Sequence, residues 1–247
     1  MRAASGARTG TAAAVSAVGL NRRVTVHDVA RRLPGIGVLR DHCRGLAMLE
    51  AVLSPEWADR YYSFDCGWSD DEEMASMRDG QGDDWFLVFS PDGAYLRGFA
   101  HESPMSPYAR HTEPRPWPGV LDEVPEVFRR HLEEPAFADE DGRPLATACL
   151  WRKTGDTAWR AGEVDFPAEA DEPADGADDL FELLVDRSAE AYRDWAEGYY
   201  EVRVDLEAVR HVLALRPLTD QVVAALNADV TLPGLAGEIE EIGYPVG

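Results

Sequence analysis

Residues 85–99 read WFLVFSPDGAYLRGF, and this stretch decides the fold of the chain. Its first five residues are aromatic or aliphatic, which is typical of a buried strand. Residues 90–93, SPDG, predict a type I turn, because proline fixes φ at the second position and glycine suits the fourth. Residues 94–99 then return as the partner strand. The stretch therefore predicts an antiparallel hairpin at the centre of the protein.

Further strands are predicted on both sides of this hairpin. The segments 61–64 and 145–152 both have strand composition. Residues 69–84 are acidic and contain glycine, and Met74 and Met77 lie three positions apart. That spacing allows a helical turn between the first strand and the hairpin.

Helical patterns dominate the two ends of the chain. Apolar residues recur at steps of three and four from Leu39 to Leu53, which predicts a helix with one buried stripe. Glu50 lies off that stripe and should be solvated. The last third of the chain is also predicted to be helical. Its predicted N-cap residues are Ser188, Asp205 and Thr219.

The order of these segments predicts the domain organisation. Residues 1–23 contain no acid and are rich in Ala, Ser, Gly and Arg, which predicts a disordered tail. An α+β domain is expected over 24–167, an acidic linker over 168–179, and a helical segment packed on the same domain over 180–247. Strands in the middle with helices at both ends indicate an α+β fold, whose central antiparallel sheet is built from hairpins.

The charge of the chain limits its partners. Forty-six acidic residues against 24 basic ones give a net charge of −22, made up of +4 in residues 1–60 and −26 in residues 61–247. Such a surface repels nucleic-acid phosphates and anionic membranes and attracts basic proteins. No apolar run is long enough to cross a membrane. Three widely separated cysteines favour a reducing cytoplasm.

An acidic cluster beside a tryptophan is the first candidate binding site. Tryptophan is a common anchor in protein interfaces, and a loop would leave its ring accessible. The candidate residues are Trp68, Asp70, Asp71, Glu72, Glu73 and Trp117. A solvated run of charge without a ligand is the alternative interpretation. The pattern of a calcium-binding EF-hand loop is absent.

A proline-rich loop over 101–117 is the second candidate site. It carries two His/Glu pairs, formed by His101, Glu102, His111 and Glu113. Such residues serve as zinc ligands or as acid–base catalysts. The alternative is that they are ordinary polar loop residues. The sequence has no HExxH, CxxC, GxSxG or phosphate-loop motif, so it predicts no metal, no cofactor and no named reaction.

Five short segments resemble proteins of high-GC actinobacteria that have no assigned activity. They are YYSFD (61–65), HESPMSPY (101–108), WPGVLD (117–122), CLWR (149–152) and IGYP (242–245). This resemblance covers roughly residues 24–247 and implies no reaction. The chain is also similar in style to immunity proteins of the SMI1/KNR4 type, which are acidic α+β proteins with aromatic strands and a strand–PDG–strand hairpin. That similarity implies a protein-binding role.

Two hypotheses on function follow from these patterns. The first is an acidic cytoplasmic binding protein, an inhibitor or immunity factor for a basic protein partner, with no affinity for nucleic acid or membranes. The alternative is an enzyme with a His/Glu site in the loop 101–113, with or without a metal ion. A third interpretation, in which the acidity only keeps the protein soluble, predicts neither a partner nor an activity.

Overall fold

The computed structural model describes residues 24–109, 114–167 and 174–247. Its centre is a five-stranded sheet in which neighbouring strands are antiparallel and follow one another in chain order. The strands are β1 (Tyr62–Ser69), β2 (Glu72–Arg78), β3 (Asp84–Ser90), β4 (Gly93–Phe99) and β5 (Ala148–Lys153). Helices precede and follow the sheet, so the predicted α+β fold is confirmed.

The hairpin predicted over 85–99 is formed by β3 and β4. Ser90 faces Gly93 at its tight end, and Trp85 faces Gly98 near the other end. Side chains alternate along both strands, so that β3 contributes to two cores. One core contains Trp85 and lies on what we term the helical face, and the other contains Phe86 and lies on the loop face. The unbroken apolar run of β3 therefore reflects burial on both sides of the sheet.

Helices cover the helical face. The long helix α2 packs against β1, and helices of the C-terminal third pack beside it. The helices are α1 (Val26–Arg32), α2 (Ile36–Leu53), α3 (Ala177–Leu180), α4 (Glu182–Val185), α5 (Ala189–Tyr200), α6 (Leu206–Leu213), α7 (Asp220–Leu226) and α8 (Ala236–Ile242). Ser188, Asp205 and Thr219 each accept a hydrogen bond from a backbone N–H of the first turn, which confirms them as N-caps.

Irregular chain covers part of the loop face. Residues 100–109 and 114–147 contain two short 3-10 helices, Glu126–Leu132 and Pro135–Phe137, and pack over β3, β4 and β5. Arg97 of β4 is buried under this cover, with its guanidinium 5.3 Å from the ring centre of Phe137. At Ser63 and Asp65 of β1, the loop face opens instead into a cleft.

The helical turn predicted around Met74 and Met77 is wrong. Both residues lie in β2, where they face Val88 and Trp85 of β3. Met77 packs on the helical face and Met74 on the loop face. Pairing with the strong hairpin strand decides the conformation, because strand formation depends on cross-strand packing more than on local preference.

The described end of the predicted linker, residues 174–179, does not run through solvent. Asp175 is 0% exposed, and Ala177 begins α3. The Asp175 carboxylate accepts hydrogen bonds from the backbone N–H of Val26, at 2.8 Å, and of Ala177, at 3.1 Å. It thus joins the starts of α1 and α3. The acidic composition of the predicted linker did not indicate this structural role.

Asp175 should give the protein a recognisable pH dependence. Burial raises the pKa of this carboxyl from 3.8 to about 6. The folded state therefore binds this proton more tightly than the unfolded state. As a result, the free energy of unfolding falls by about 3 kcal/mol as pH rises from about 4 through about 6. Asp175→Asn has no carboxyl to titrate, so its free energy of unfolding should not show this fall. The difference between the variant and the wild type should therefore shift in favour of the variant between about pH 4 and pH 6. Urea unfolding at several pH values measures this difference.

The exposed Asp179, in α3 four residues after Asp175, is the matched control. Asp179→Asn should follow the wild-type pH profile. Parallel profiles for wild type and Asp175→Asn would contradict the assigned role of Asp175.

Candidate binding site

A cleft of about 750 Å³ opens beside β1 at the edge of the sheet. Within the described ranges, no strand pairs with the outer side of β1. The loop-face residues Ser63, Met74 and Ser76 line the cleft, and the hydroxyls of Ser63 and Ser76 are hydrogen-bonded at 2.7 Å. The cleft is large enough for several side chains of a ligand.

Aromatic rings form one wall of this cleft, which we term the aromatic wall: Trp57, Tyr61 and Tyr199. Trp57 is 57% exposed and Tyr199 is 43% exposed, which is unusual for such large rings. The Tyr61 ring lies 5.0 Å from Tyr199 and 4.8 Å from Trp195, which itself stacks on Tyr199 at 5.3 Å. Tyr61 and Tyr199 are therefore packed against other rings from behind, while the wall remains open to solvent at Trp57 and Tyr199.

A buried carboxylate fixes this wall to the core. Glu50 of α2 is 0% exposed and accepts hydrogen bonds from the hydroxyls of Tyr192, at 2.8 Å, and Tyr200, at 2.5 Å. It also accepts one from the backbone N–H of Tyr61, at 2.9 Å. Burial raises the pKa of Glu50. The prediction that Glu50 is solvated is wrong, because α5 supplies a second layer over the polar side of α2.

The rim of the cleft is mainly acidic. Its carboxylates belong to Asp59, Asp65, Asp79 and Glu241, and its cations to Arg60 and Arg78. Arg60 is held by Glu238, at 2.7 Å, and by the carbonyl oxygen of Pro55, at 2.8 Å. The Arg78 guanidinium lies over the ring of Phe86, at 5.6 Å. Four carboxylates beside exposed aromatic faces form a surface that suits an organic cation.

The acidic cluster predicted as a binding surface is divided by the fold. Asp70 and Asp71 are exposed at the turn between β1 and β2. Glu72 is only 8% exposed; it pairs with Arg130 and lies 3.4 Å from Nε2 of His131.

Glu73 points to the opposite face of the sheet from Glu72. It pairs with Arg44 at 2.5 Å and lies 3.7 Å from Arg40. Two of the four acids are thus neutralised internally, which the sequence could not show because their partners are distant in the chain.

The two tryptophans chosen from the sequence lie outside the cleft. Trp68 lies in β1 and not in a loop, so that prediction is wrong; its ring stacks on Phe137 at 5.8 Å. Trp117 lies in irregular chain, as predicted, and its Nε1 donates to the carbonyl oxygen of Asp165 at 2.9 Å. Both rings are partly buried and have structural contacts.

The His/Glu loop is only partly described. Nδ1 of His101 lies 2.7 Å from Asp83, and this hydrogen bond raises the pKa of His101. Glu102 is 3.9 Å from Nε2 of the same ring. His111 and Glu113 lie outside the described residues. In the ranges that are described, no three His, Cys, Asp or Glu side chains are grouped as metal ligands. The enzyme hypothesis stays a prediction.

Sequence reasoning missed the aromatic wall for a specific reason. Tyr192, Trp195 and Tyr199 share one helix stripe, which favours a core position for all three. Tyr192 is indeed 1% exposed, but Tyr199 lies in the last turn of α5, where the stripe passes the edge of the sheet. Trp57 follows Pro55 just after α2, and that helix-ending position was the available signal.

Comparison with known proteins does not identify the chain: it matches no family model, no curated protein and no solved structure. In the part of the chain that the structure describes, every helix is too short or too polar to cross a bilayer. The function must therefore be inferred from the cleft itself.

Proposed function

We propose that this protein binds a cationic segment of a basic protein partner in the cleft beside β1. The observation that supports this most directly is the combination of an exposed aromatic wall with four carboxylates around one cavity. The site replaces the acidic cluster at 70–73 as the centre of binding, while the class of partner remains the one predicted from the charge.

The chemistry of the cleft favours arginine or lysine side chains. A cation over an exposed tryptophan or tyrosine ring gains about 0.5–2 kcal/mol, and more as water is excluded. Trp57 and Tyr199 offer such ring faces, and Asp59 and Asp65 lie in the same cleft. The net charge of −22 adds a long-range attraction that speeds association with a basic partner.

Trp57→Ala should weaken binding of a cationic peptide about tenfold, because it removes a ring face worth about 1.4 kcal/mol. The probe is a fluorescein-labelled peptide of about eight residues, the length of a strand, in which Arg and Thr alternate. Fluorescence anisotropy at low and physiological ionic strength gives the dissociation constant. A peptide with Glu in place of Arg should not bind.

Two double variants with the same change of charge distinguish binding in the cleft from a general electrostatic attraction to the protein surface. Asp59→Asn with Asp65→Asn removes two carboxylates from the cleft, and Asp70→Asn with Asp71→Asn removes two from the exposed turn. The first pair should weaken binding at least about fivefold and the second less than about twofold. Equal losses in both pairs, or no effect of Trp57→Ala, would refute the assignment of the cleft.

A further inference from the structure

The outer side of β1 carries backbone groups that point away from its neighbour. In an antiparallel pair, residues alternate between those that exchange hydrogen bonds with the partner and those that do not. The backbone N–H of Arg78 donates to the carbonyl oxygen of Tyr61 at 2.9 Å, so these two residues are in the hydrogen-bonded register, although the N–H of Tyr61 itself donates to Glu50. Because such pairs recur at every second residue, the backbone N–H and C=O groups of Ser63 and Asp65 also point toward β2.

Phe64, between these two residues, has the opposite orientation. It faces Ala75 of β2 in a pair that does not exchange hydrogen bonds, so its N–H and C=O point outward. Phe64 also lines the cleft. Outward groups on an edge strand are a template for another strand.

The other edge of the sheet is already occupied. Trp151 of β5 exchanges two backbone hydrogen bonds with Arg160, at 2.9 and 2.8 Å. The chain's own backbone thus pairs with the β5 edge at Trp151, whereas β1 opens into the cleft from Ser63 to Asp65. Beyond that opening α8 lies against β1, where the Cys66 thiol donates to the carbonyl oxygen of Glu240 at 3.4 Å. This difference indicates which edge a partner strand would use.

Side-chain alternation along β1 sets the pattern of an added strand. The side chains of Ser63 and Asp65 point to the loop face and line the cleft, while Tyr62 and Phe64 point into the core. A residue placed opposite Asp65 on an added strand has its side chain on the same face, with its Cβ about 5 Å from the Cβ of Asp65. Cations are therefore favoured at every second position of the incoming segment.

We propose that the partner binds as an extended strand added to β1, with Arg or Lys at alternate positions. This inference rests on the proposed function and specifies its mode, in which main-chain hydrogen bonds give affinity and alternate side chains give specificity.

Backbone methylation of the alternating Arg/Thr peptide tests the mode directly. N-methyl groups remove amide donors and leave every charge in place. One peptide is methylated at the arginine amides and the other at the threonine amides, so the two are matched in number of methyl groups. Since only every second amide of a strand faces β1, one peptide should lose binding at least tenfold and the other should stay within twofold. Equal behaviour of the two peptides would overturn strand addition.

The outcomes separate the two proposals. If both methylated peptides bind like the parent while Trp57→Ala still weakens binding, the cationic cleft stands and strand addition fails. If the parent peptide itself does not bind, the proposed function fails. Hydrogen exchange gives a second measurement on the wild-type protein: the parent peptide should slow exchange of the Phe64 amide at least tenfold and leave that of Ser63, already directed to β2, unchanged. An unprotected Phe64 amide in the bound state would also overturn strand addition.

Discussion

Glu50→Ala should destabilise the protein by about 3–5 kcal/mol, because it removes the shared acceptor of a buried network. The hydroxyls of Tyr192 and Tyr200 and the N–H of Tyr61 would lose their common partner. The truncated side chain would also leave a cavity under α5. Urea unfolding at neutral pH gives the change in unfolding free energy. Since Tyr61 belongs to the aromatic wall, peptide binding should weaken as well.

Two variants make this prediction specific to the network. Glu50→Gln keeps the volume and one acceptor oxygen, so we expect a smaller loss of about 1–2 kcal/mol. Glu56→Ala removes an exposed carboxylate just beyond α2 and should change stability by less than about 0.5 kcal/mol. If Glu50→Ala cost no more than Glu56→Ala, the carboxylate would not be the organising acceptor of the aromatic wall.

The sequence predicted the fold where local and tertiary preferences agree. The hairpin over 85–99 has strand composition on both arms and a turn with the required residues, so neighbours could only reinforce it. The N-caps behaved in the same way, since their hydrogen bonds lie within one turn of helix. The prediction for the segment that forms β2 was wrong, because its acidic composition does not indicate a strand and its conformation is imposed by pairing with β3.

The candidate site could be predicted far less well, because long-range contacts decide which charges and rings remain free. In the sequence, Glu72 and Glu73 appear free to bind a partner. In the fold, each forms an ion pair within the protein, with Arg130 and Arg44 respectively. The helix stripe of α5 favoured a core position for Tyr199, and no pattern singled out Trp57, yet both rings are exposed. The proposed class of partner rests on the overall charge, which depends only on composition. The proposed binding position depends instead on how the folded chain arranges the edge of the sheet at β1.

Gly93→Ala should cost more than about 4 kcal/mol and is expected to be the most damaging single change in the hairpin. Gly93 has φ +142°, a conformation that L side chains rarely adopt. A Cβ atom there would lie 2.1 Å from the carbonyl oxygen of Arg152 and 2.8 Å from the Cα of Lys153. Both are backbone atoms of β5, so relief requires β4 and β5 to move apart. Thermal and urea unfolding measure the loss.

Two other glycines separate the backbone strain from the clash. Gly80 has φ +72° and open space around its Cα, so Gly80→Ala should show the conformational cost alone, about 1 kcal/mol. Gly155 has open space and no positive φ, so Gly155→Ala should be within about 0.5 kcal/mol of the wild type. The excess of Gly93→Ala over Gly80→Ala then measures the contact with β5. If the two losses were equal, β5 would not lie against the turn, and the strand order from β3 to β5 would have to be revised.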